Sequence, residues 1–157
     1  MVTGNPASVT HVYADGSASY TISAAATDED GTYAAGNTVA VTVNDVAPTV
    51  AISGAASVNE GAAYTLNLSS NDPGDDTITQ WTINWGDTVE VVTGNPASVT
   101  HTYADGAASY TISATATNED GTYAAGNTVA VTVTNVAPSL VISGAATASE
   151  GSAYTLN

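Results

Sequence analysis

Apolar and polar residues alternate one by one in several short stretches of the chain. Residues 108–117 place tyrosine, isoleucine and alanine on one face and serine and threonine on the other. Residues 128–133 alternate in the same way with three valines, and Trp81, Ile83 and Trp85 share one face of a further stretch. A period of two is typical of antiparallel strands with one buried face. The pattern therefore predicts half-buried strands, with both tryptophans in the core.

Turn signals separate these stretches and repeat along the chain. They are Asp72-Pro73-Gly74, Gly94-Asn95-Pro96, Asp105-Gly106, Asp120-Gly121 and Gly126-Asn127. Gly, Pro, Asn and Asp favour tight turns, and no segment shows a sustained helical period. The sequence predicts an all-β fold with about seven short antiparallel strands per unit, in the manner of an immunoglobulin-like sandwich.

The chain repeats itself at a spacing of 90 residues. Residues 1–67 align on residues 91–157 without a gap, and 14 of these 67 pairs differ. Self-similarity of this size predicts tandem domains, and the Val-Ala-Pro segments at 46–48 and 136–138 suit joints because proline cannot donate to a ladder. The predicted organisation has three parts. Residues 1–45 are the C-terminal half of one unit, 46–135 are a complete unit, and 136–157 are the N-terminal strands of a following unit.

Composition narrows the choice of partners. The chain has 15 acidic residues, no Lys or Arg and no Cys, which gives a formal charge of −15. Binding of nucleic acid or of an anionic membrane surface requires basic residues, so both classes of partner are excluded. Insertion into a membrane is not expected because the apolar runs are only a few residues long. Cations are the natural counterparts, and calcium prefers the oxygen ligands that this chain supplies.

The complete unit resembles the polycystic kidney disease (PKD) repeat family. The matching residues are Ile83-Asn84-Trp85-Gly86-Asp87, His101-Thr102-Tyr103, Gly106, Tyr110-Thr111-Ile112 and Asn118-Glu119-Asp120-Gly121. Thr88 departs from the family pattern, which has a closing glycine there. The resemblance implies an extracellular β-sandwich of the kind strung together in bacterial surface proteins, and a module without catalytic activity.

An acidic loop is the best candidate for a chemical site. Asn71, Asp72, Asp75 and Asp76 lie within six residues, and carboxylates this close repel one another unless a cation intervenes. Calcium takes six to eight oxygen ligands from such loops. The resemblance to PKD repeats adds a residue at the start of the unit, Asn44 or Asp45. The alternative is a solvated polar turn without a metal.

Other residues with reactive side chains are interpreted as structural. His11 and His101 alternate with packed positions and have no convincing Ser-His-Asp arrangement around them. Tyr110 suits a role like that of a tyrosine corner, in which the ring packs and the hydroxyl bonds to the main chain. Residues 118–121 read first as a hairpin turn and only second as a ligand set, and Glu60 could complete a cation site between units.

Three functions remain open at this stage. The first is an extracellular spacer or stalk in an adhesin-like surface protein, stiffened by calcium and in contact with neighbouring repeats. The second is a self-assembling fibre in which the ends of two molecules complete one another by strand addition. The third is a module that binds carbohydrate or protein, which requires exposed aromatic residues. An enzyme is not expected, because no nucleophile, phosphate loop or closed metal site is recognisable.

Overall fold

A computed structural model of the chain describes residues 2–157, and within that range it is built of strands and turns with no helix. The predicted all-β fold is therefore confirmed. No helix in the described part is long and apolar enough to cross a membrane. The first four strands are β1 (Ala18–Ile22), β2 (Ala25–Thr27), β3 (Thr32–Ala34) and β4 (Val39–Val43). The next nine are β5 (Thr49–Gly54), β6 (Ser57–Asn59), β7 (Ala63–Asn71), β8 (Gln80–Asn84), β9 (Val89–Thr93), β10 (Ser98–Thr102), β11 (Ala108–Thr117), β12 (Thr122–Ala124) and β13 (Val129–Thr134).

Strands β5 to β13 form a two-sheet sandwich. One sheet has the strand order β10-β7-β5 and the other β6-β13-β11-β8-β9, with β12 also paired to β11. The pairing of β13 with β6 is parallel and the other pairings within the sandwich are antiparallel. This arrangement is the immunoglobulin-like sandwich that the turn spacing predicts.

The core lies between the two sheets and follows the alternation of the sequence. Along β11 the side chains of Ile112, Ala114 and Ala116 are buried, while the residues between them are partly exposed. The opposite sheet contributes the aliphatic and aromatic residues Val50, Ile52, Tyr64, Leu66 and Leu68. Burying one face of each sheet in this way gives the main stabilising contribution of the fold.

The two tryptophans are fully buried, as their shared face predicts. The indole N–H of Trp81 donates to Asn95 Oδ1 at 2.9 Å, and that of Trp85 donates to Glu90 Oε2 at 3.0 Å. A buried indole N–H without a partner would be costly, so these two acceptors allow both rings to fill the core. Their burial also removes the aromatic platform that a carbohydrate site on Trp81 or Trp85 would need.

Residues 2–45 keep the pairing of their repeat counterparts but not their burial. Strands β1 and β4 form a separate two-stranded sheet with Ala18 opposite Val43, the register that Ala108 and Val133 have in the sandwich. Ile22 is nevertheless 44% exposed, whereas its counterpart Ile112 is 0% exposed. Local pairing therefore repeats with the sequence, and burial depends on which strands cover the sheet.

Residues 136–157 form one isolated bridge, between Gly144 and Leu156. Within the described range this segment contains no β-strand. This differs from the predicted opening strands. In the sandwich the counterpart segment is held by β10 and β13, and among the described residues 2–157 no strand pairs with residues 136–157. Leu156 is 60% exposed, whereas its counterpart Leu66 is 0% exposed.

Candidate cation site at the joint

The acidic loop between β7 and β8 lies at one end of the sandwich. The turn begins with Asp72, whose Oδ1 accepts a hydrogen bond from the main-chain N–H of Gly74 at 2.9 Å. Proline at position 73 and glycine at position 74 allow this tight reversal. The loop then returns toward the core, where Ile78 is buried.

This loop makes direct contact with the segment that precedes β1. The main-chain N–H of Asp75 donates to the carbonyl oxygen of Ala14 at 2.9 Å. A cleft of about 210 Å³ lies between the two segments and is lined by Asp15 and Asp76, one from each of them, and by Asp45, which follows β4. The loop is thus part of the joint between residues 2–45 and the sandwich.

Three carboxylates from distant parts of the sequence meet at this joint. Asp15, Asp76 and Asp120 each place one carboxylate oxygen within 4.8 Å of the others. Asp15 comes from the preceding repeat, Asp76 from the acidic loop, and Asp120 from the turn between β11 and β12. Calcium binds oxygen at about 2.3–2.6 Å, so one ion can contact oxygens with this mutual separation.

Two carboxylate oxygens at the joint are buried without a partner. Within the part of the chain that the structure describes, Oδ2 of Asp72 and Oδ1 of Asp76 are inaccessible and accept no hydrogen bond. A buried carboxylate is costly unless it is paired, and this chain has no Lys or Arg to pair with it. These orphaned oxygens, in a donor set made only of oxygen, fit a hard divalent cation.

The electrostatics of the cluster point in the same direction. Burial, followed by the charges of Asp72, Asp120, Asp15 and Asp45, raises the pKa of Asp76 to about 7. Burial and the charges of Asp45 and Asp15 also raise the pKa of Asp120. In the absence of a cation, the cluster therefore relieves its repulsion by holding protons.

Stability without calcium should fall as the pH rises through the titration of Asp76. The folded-state pKa of Asp76 is about 7, which lies above its ordinary value of 3.8. The contribution of Asp76 to the free energy of unfolding is therefore complete below pH 3.8 and is lost as the pH rises past 7. Asp120 shifts in the same direction. The pKa values of Glu60 and Asp87 are lowered, so those carboxylates lose their contributions only in more acidic solution. We expect the midpoint of thermal unfolding in a chelator to decrease from about pH 5 to about pH 8.

Asp76→Asn should flatten the dependence of the unfolding midpoint on pH, because it removes the carboxyl group whose pKa is raised most. Asp75→Asn is the matched control, since the carboxylate of Asp75 is outside the cluster of three and its main-chain N–H makes the contact with Ala14. An equally steep profile in Asp76→Asn would show that other groups control stability in this range.

The structure brings only some of the candidate ligands to the joint. Asp72 and Asp76 lie at the joint, and Asp45 is close by, with its Oδ2 3.3 Å from the hydroxyl of Tyr123. Asn71 is the last residue of β7 and Asp75 makes its contact through the main chain. Sequence reasoning missed Asp15 altogether and read the turn of Asp120 mainly as a hairpin.

The turn of residues 118–121, which carries Asp120, is also well formed as a hairpin. Oδ1 of the buried Asn118 accepts the main-chain N–H groups of Asp120 and Gly121 at 3.0 and 2.9 Å. Oε2 of Glu119 accepts the N–H of Thr77 at 3.0 Å and so ties this turn to the acidic loop. The hairpin interpretation is correct, and the same turn carries Asp120 to the joint.

Comparison with known proteins identifies the family. The sequence model of the PKD domain matches residues 45–133, which is more than half of the chain. The chain belongs to the PKD domain family. This confirms the resemblance that rests on the quoted residues from Ile83 to Gly121.

Solved structures similar to this chain include two β-domain modules of larger proteins. The PKD domain of a peptidase from a Thermoplasmatales archaeon is 26% identical and has a TM-score of 0.44, with 54% of this chain and 92% of that chain covered. The fibronectin(III)-like modules of Clostridium thermocellum CbhA are 18% identical with a TM-score of 0.49, covering 79% of this chain and 66% of that chain. A comparison with curated protein sequences finds no match.

The histidine of the PKD motif is packed into the sandwich. The ring of His101 stacks on Trp85 with centroids 4.7 Å apart, and its Nε2 lies 3.0 Å from Oδ2 of Asp87. Burial acts to raise the pKa of Asp87, but the hydrogen bond and charge of His101, with two main-chain N–H groups, outweigh it, so that the pKa is lowered. The pair joins the turn after β8 to β10, which agrees with the structural interpretation of His101.

Glu60 secures the other end of the PKD unit. Its Oε2 accepts the N–H of Gly106 at 2.6 Å, and its Oε1 accepts the N–H of Val136 at 2.7 Å. The N–H groups of Val136 and Gly106 lower the pKa of Glu60. Because both oxygens bind main chain, Glu60 fixes the exit segment, which differs from the cation site suggested by the sequence.

Proposed function

We propose that this PKD chain is a non-catalytic spacer in an extracellular repeat protein, with a joint between successive units that calcium stiffens. The observation that carries the proposal is the convergence of Asp15, Asp76 and Asp120 across the joint. A spacer requires joints of defined geometry more than it requires a binding pocket. At this joint, carboxylates from the preceding repeat and from the sandwich lie close together.

The contacts on each side of the unit support a spacer with fixed joints. At the entrance, the acidic loop is hydrogen bonded to Ala14 of the preceding repeat. At the exit, Glu60 accepts a hydrogen bond from the main-chain N–H of Val136, the first residue of the next segment. A module that transmits position along an array requires both kinds of contact, because a free linker would lose the orientation of its neighbour.

Calcium would supply the positive charge that the entrance joint lacks. Repulsion among five nearby carboxylates, those of Asp15, Asp45, Asp72, Asp76 and Asp120, works against the joint at neutral pH. A divalent cation would turn that repulsion into attraction and would use the two buried oxygens that have no partner. Extracellular modules bind calcium with dissociation constants of about 0.1–1 mM, and we expect the affinity of this joint to fall in that range.

Titration calorimetry with calcium tests the site. We expect binding by the unaltered chain, and a loss of at least about tenfold in affinity for Asp76→Asn and Asp120→Asn, because each variant removes one charged ligand. Asp75→Asn is the matched control and should bind as the unaltered chain does. Equal binding by all variants would place the cation elsewhere and contradict the proposed site.

The variant Asp15→Asn separates a shared joint from a site within one unit. If the preceding repeat supplies a ligand, Asp15→Asn weakens binding, and small-angle scattering shows a larger spread of shapes in chelator than in calcium. If Asp15→Asn binds calcium normally and scattering is the same in both solutions, the ion belongs to one unit alone. That result would show that calcium does not stiffen the joint between units.

A further inference from the structure

One strand at the side of the complete unit is left open by the fold. Strand β9 (Val89–Thr93) is the last strand of its sheet, and among the described residues 2–157 it pairs only with β8. The side chains of Val89 and Val91 on this strand are 64% and 59% exposed. An edge strand that exposes β-branched apolar side chains is a template for pairing with another strand.

The free main-chain groups of β9 fall on the same residues as its exposed valines. At the two ends of the strand, the N–H of Trp85 donates to the carbonyl oxygen of Thr88 at 2.8 Å, and the N–H of Gly94 donates to that of Thr79 at 2.7 Å. In an antiparallel ladder, residues that bond to the neighbouring strand alternate with residues whose N–H and C=O point away from it. Positions 88, 90, 92 and 94 therefore face β8. The β9 edge, which directs its N–H and C=O groups away from β8, consists of Val89, Val91 and Thr93.

Two other edge strands of the sandwich are covered or polar. Along β5, the N–H of Gly126 donates to the carbonyl oxygen of Val50 at 2.9 Å. The side-chain amide of Asn127 bonds to both the N–H and the carbonyl oxygen of Ile52, at 3.1 and 2.7 Å. The edge of β10 exposes hydroxyl side chains, those of Ser98, Thr100 and Thr102. By contrast, β9 contains neither proline nor lysine and pairs with β8 without a bulge, so none of these devices blocks the addition of a strand.

A carboxylate beside the β9 edge determines the charge of the strand that fits it. Glu90 is exposed, and its Oε2 accepts the indole N–H of Trp85 at 3.0 Å, which holds the carboxylate next to the edge. Because side chains alternate along a strand, Glu90 lies on the opposite face of β9 from Val89 and Val91. The chain has no Lys or Arg, so a second copy offers no positive charge to Glu90, and two copies would repel one another with formal charges of −15 each. A basic strand is the complementary partner.

We propose that the β9 edge binds an extended, basic segment of another protein by strand addition. This segment alternates apolar residues, which contact Val89 and Val91, with Lys or Arg, which pair with Glu90. Main-chain hydrogen bonds to the β9 edge hold the segment, and the alternation of its side chains sets its register. This binding goes beyond the spacer function and does not depend on calcium, because no residue of the β9 edge belongs to the carboxylate cluster at the joint.

Fluorescence anisotropy of a labelled peptide tests the proposal with the full chain in calcium. The probe is a peptide of about seven residues that alternates valine and lysine, long enough to cover β9. A peptide with the same composition, but with its valines and lysines in two blocks, is the control. We expect saturable binding of the alternating peptide and at least about tenfold weaker binding of the control. Equal binding of both peptides would mean general attraction to an acidic chain and would overturn the proposal.

Proline variants identify the strand to which the peptide binds. Val91→Pro removes an N–H that points away from β8, so pairing with β8 is kept while an added strand is blocked. We expect at least about a tenfold loss of affinity, with an unfolding midpoint close to that of the unaltered chain. Val91→Lys should also lose binding, because it replaces the apolar contact with a like charge.

Thr100→Pro is the matched control for Val91→Pro, since it makes the same change on the edge of β10, where the N–H also points away from the paired strand. It should bind the peptide as the unaltered chain does. Loss of binding in Thr100→Pro but not in Val91→Pro would place the peptide on the other sheet and refute the proposed site. Dimerisation that Val91→Pro abolishes, without binding of the peptide, would assign the β9 edge to a second copy instead.

Glu90→Gln tests the contribution of charge. The variant keeps a side-chain oxygen for the indole of Trp85, so we expect binding about fivefold weaker and less sensitive to salt, without loss of the fold. Glu29→Gln removes the same charge from an exposed residue of the preceding repeat and should leave binding unchanged. Amide exchange at Val89 and Val91 should become slower with saturating peptide, and exchange at Thr100 should not change. Unchanged exchange at Val91 in the saturated chain would contradict strand addition.

Discussion

Ile112→Ala is expected to lower the free energy of unfolding of the PKD unit by about 3 kcal/mol, as is usual when a buried isoleucine is truncated. Ile112 is fully buried in β11 and lies opposite Val129 of β13. Its loss leaves a cavity between the sheets, and the surrounding strands are held by ladders on both sides of β11, which limits relaxation.

The repeat supplies a matched control for this prediction. Ile22→Ala makes the same chemical change at the same register, Ile22 opposite Val39, on a side chain that is 44% exposed. We expect a change of less than about 0.5 kcal/mol for this variant at low protein concentration, as for most exposed sites.

Denaturant unfolding followed by tryptophan fluorescence measures both variants. Trp81 and Trp85 are the only tryptophans of the chain and both lie in the core of the PKD unit, so the signal reports that unit. Equal losses in the two variants would show that residues 2–45 share the cooperative core, which the exposure of Ile22 contradicts.

Alternation predicts strands here because pairing and side-chain direction are local. The period of two placed Trp81, Trp85 and Ile112 on buried faces, and the structure confirms these positions. The same pattern in residues 18–22 says nothing about burial. Identical residues bury or expose their side chains according to whether a second sheet covers them, and no local pattern carries that information.

The candidate site was only partly predictable for a related reason. Asp72 and Asp76 stand close together in sequence, so their mutual repulsion is visible without a structure. Asp15 and Asp120 reach the joint through the fold, one from the preceding repeat and one from a hairpin turn. The one available signal was that both follow the turn pattern of the repeat.

Tyrosine roles show the same limit. The sequence favoured Tyr110 for a hydroxyl bond to the main chain, but in the structure Tyr103 donates to the carbonyl oxygen of Trp85 and Tyr64 to that of Ala55. Tyr110 instead stacks on Tyr103 with centroids 4.7 Å apart. Which tyrosine reaches an acceptor depends on the loop opposite it, which alternation does not specify.

Gly106→Ala should destabilise the PKD unit by about 2 kcal/mol, the typical cost of forcing an extra methyl group into a packed site. A Cβ on Gly106 would lie 2.8 Å from the main-chain N of Asn135 and 2.9 Å from the carbonyl carbon of Thr134. These are backbone atoms of the exit segment, so they cannot rotate away as a side chain can. Moving them would also weaken the bonds of Glu60 to Gly106 and Val136.

Gly126→Ala is the control for Gly106→Ala, because the nearest atom to its added Cβ is the carbonyl oxygen of Val50 at an ordinary 3.8 Å. Denaturant unfolding should separate the two variants clearly, with Gly126→Ala close to the unaltered chain. Amide exchange at Val136 should be faster in Gly106→Ala, because the exit segment must shift to admit the methyl group. Unchanged stability and exchange in Gly106→Ala would mean that the exit segment yields freely. The close packing of glycine and Glu60 would then have no part in fixing the joint.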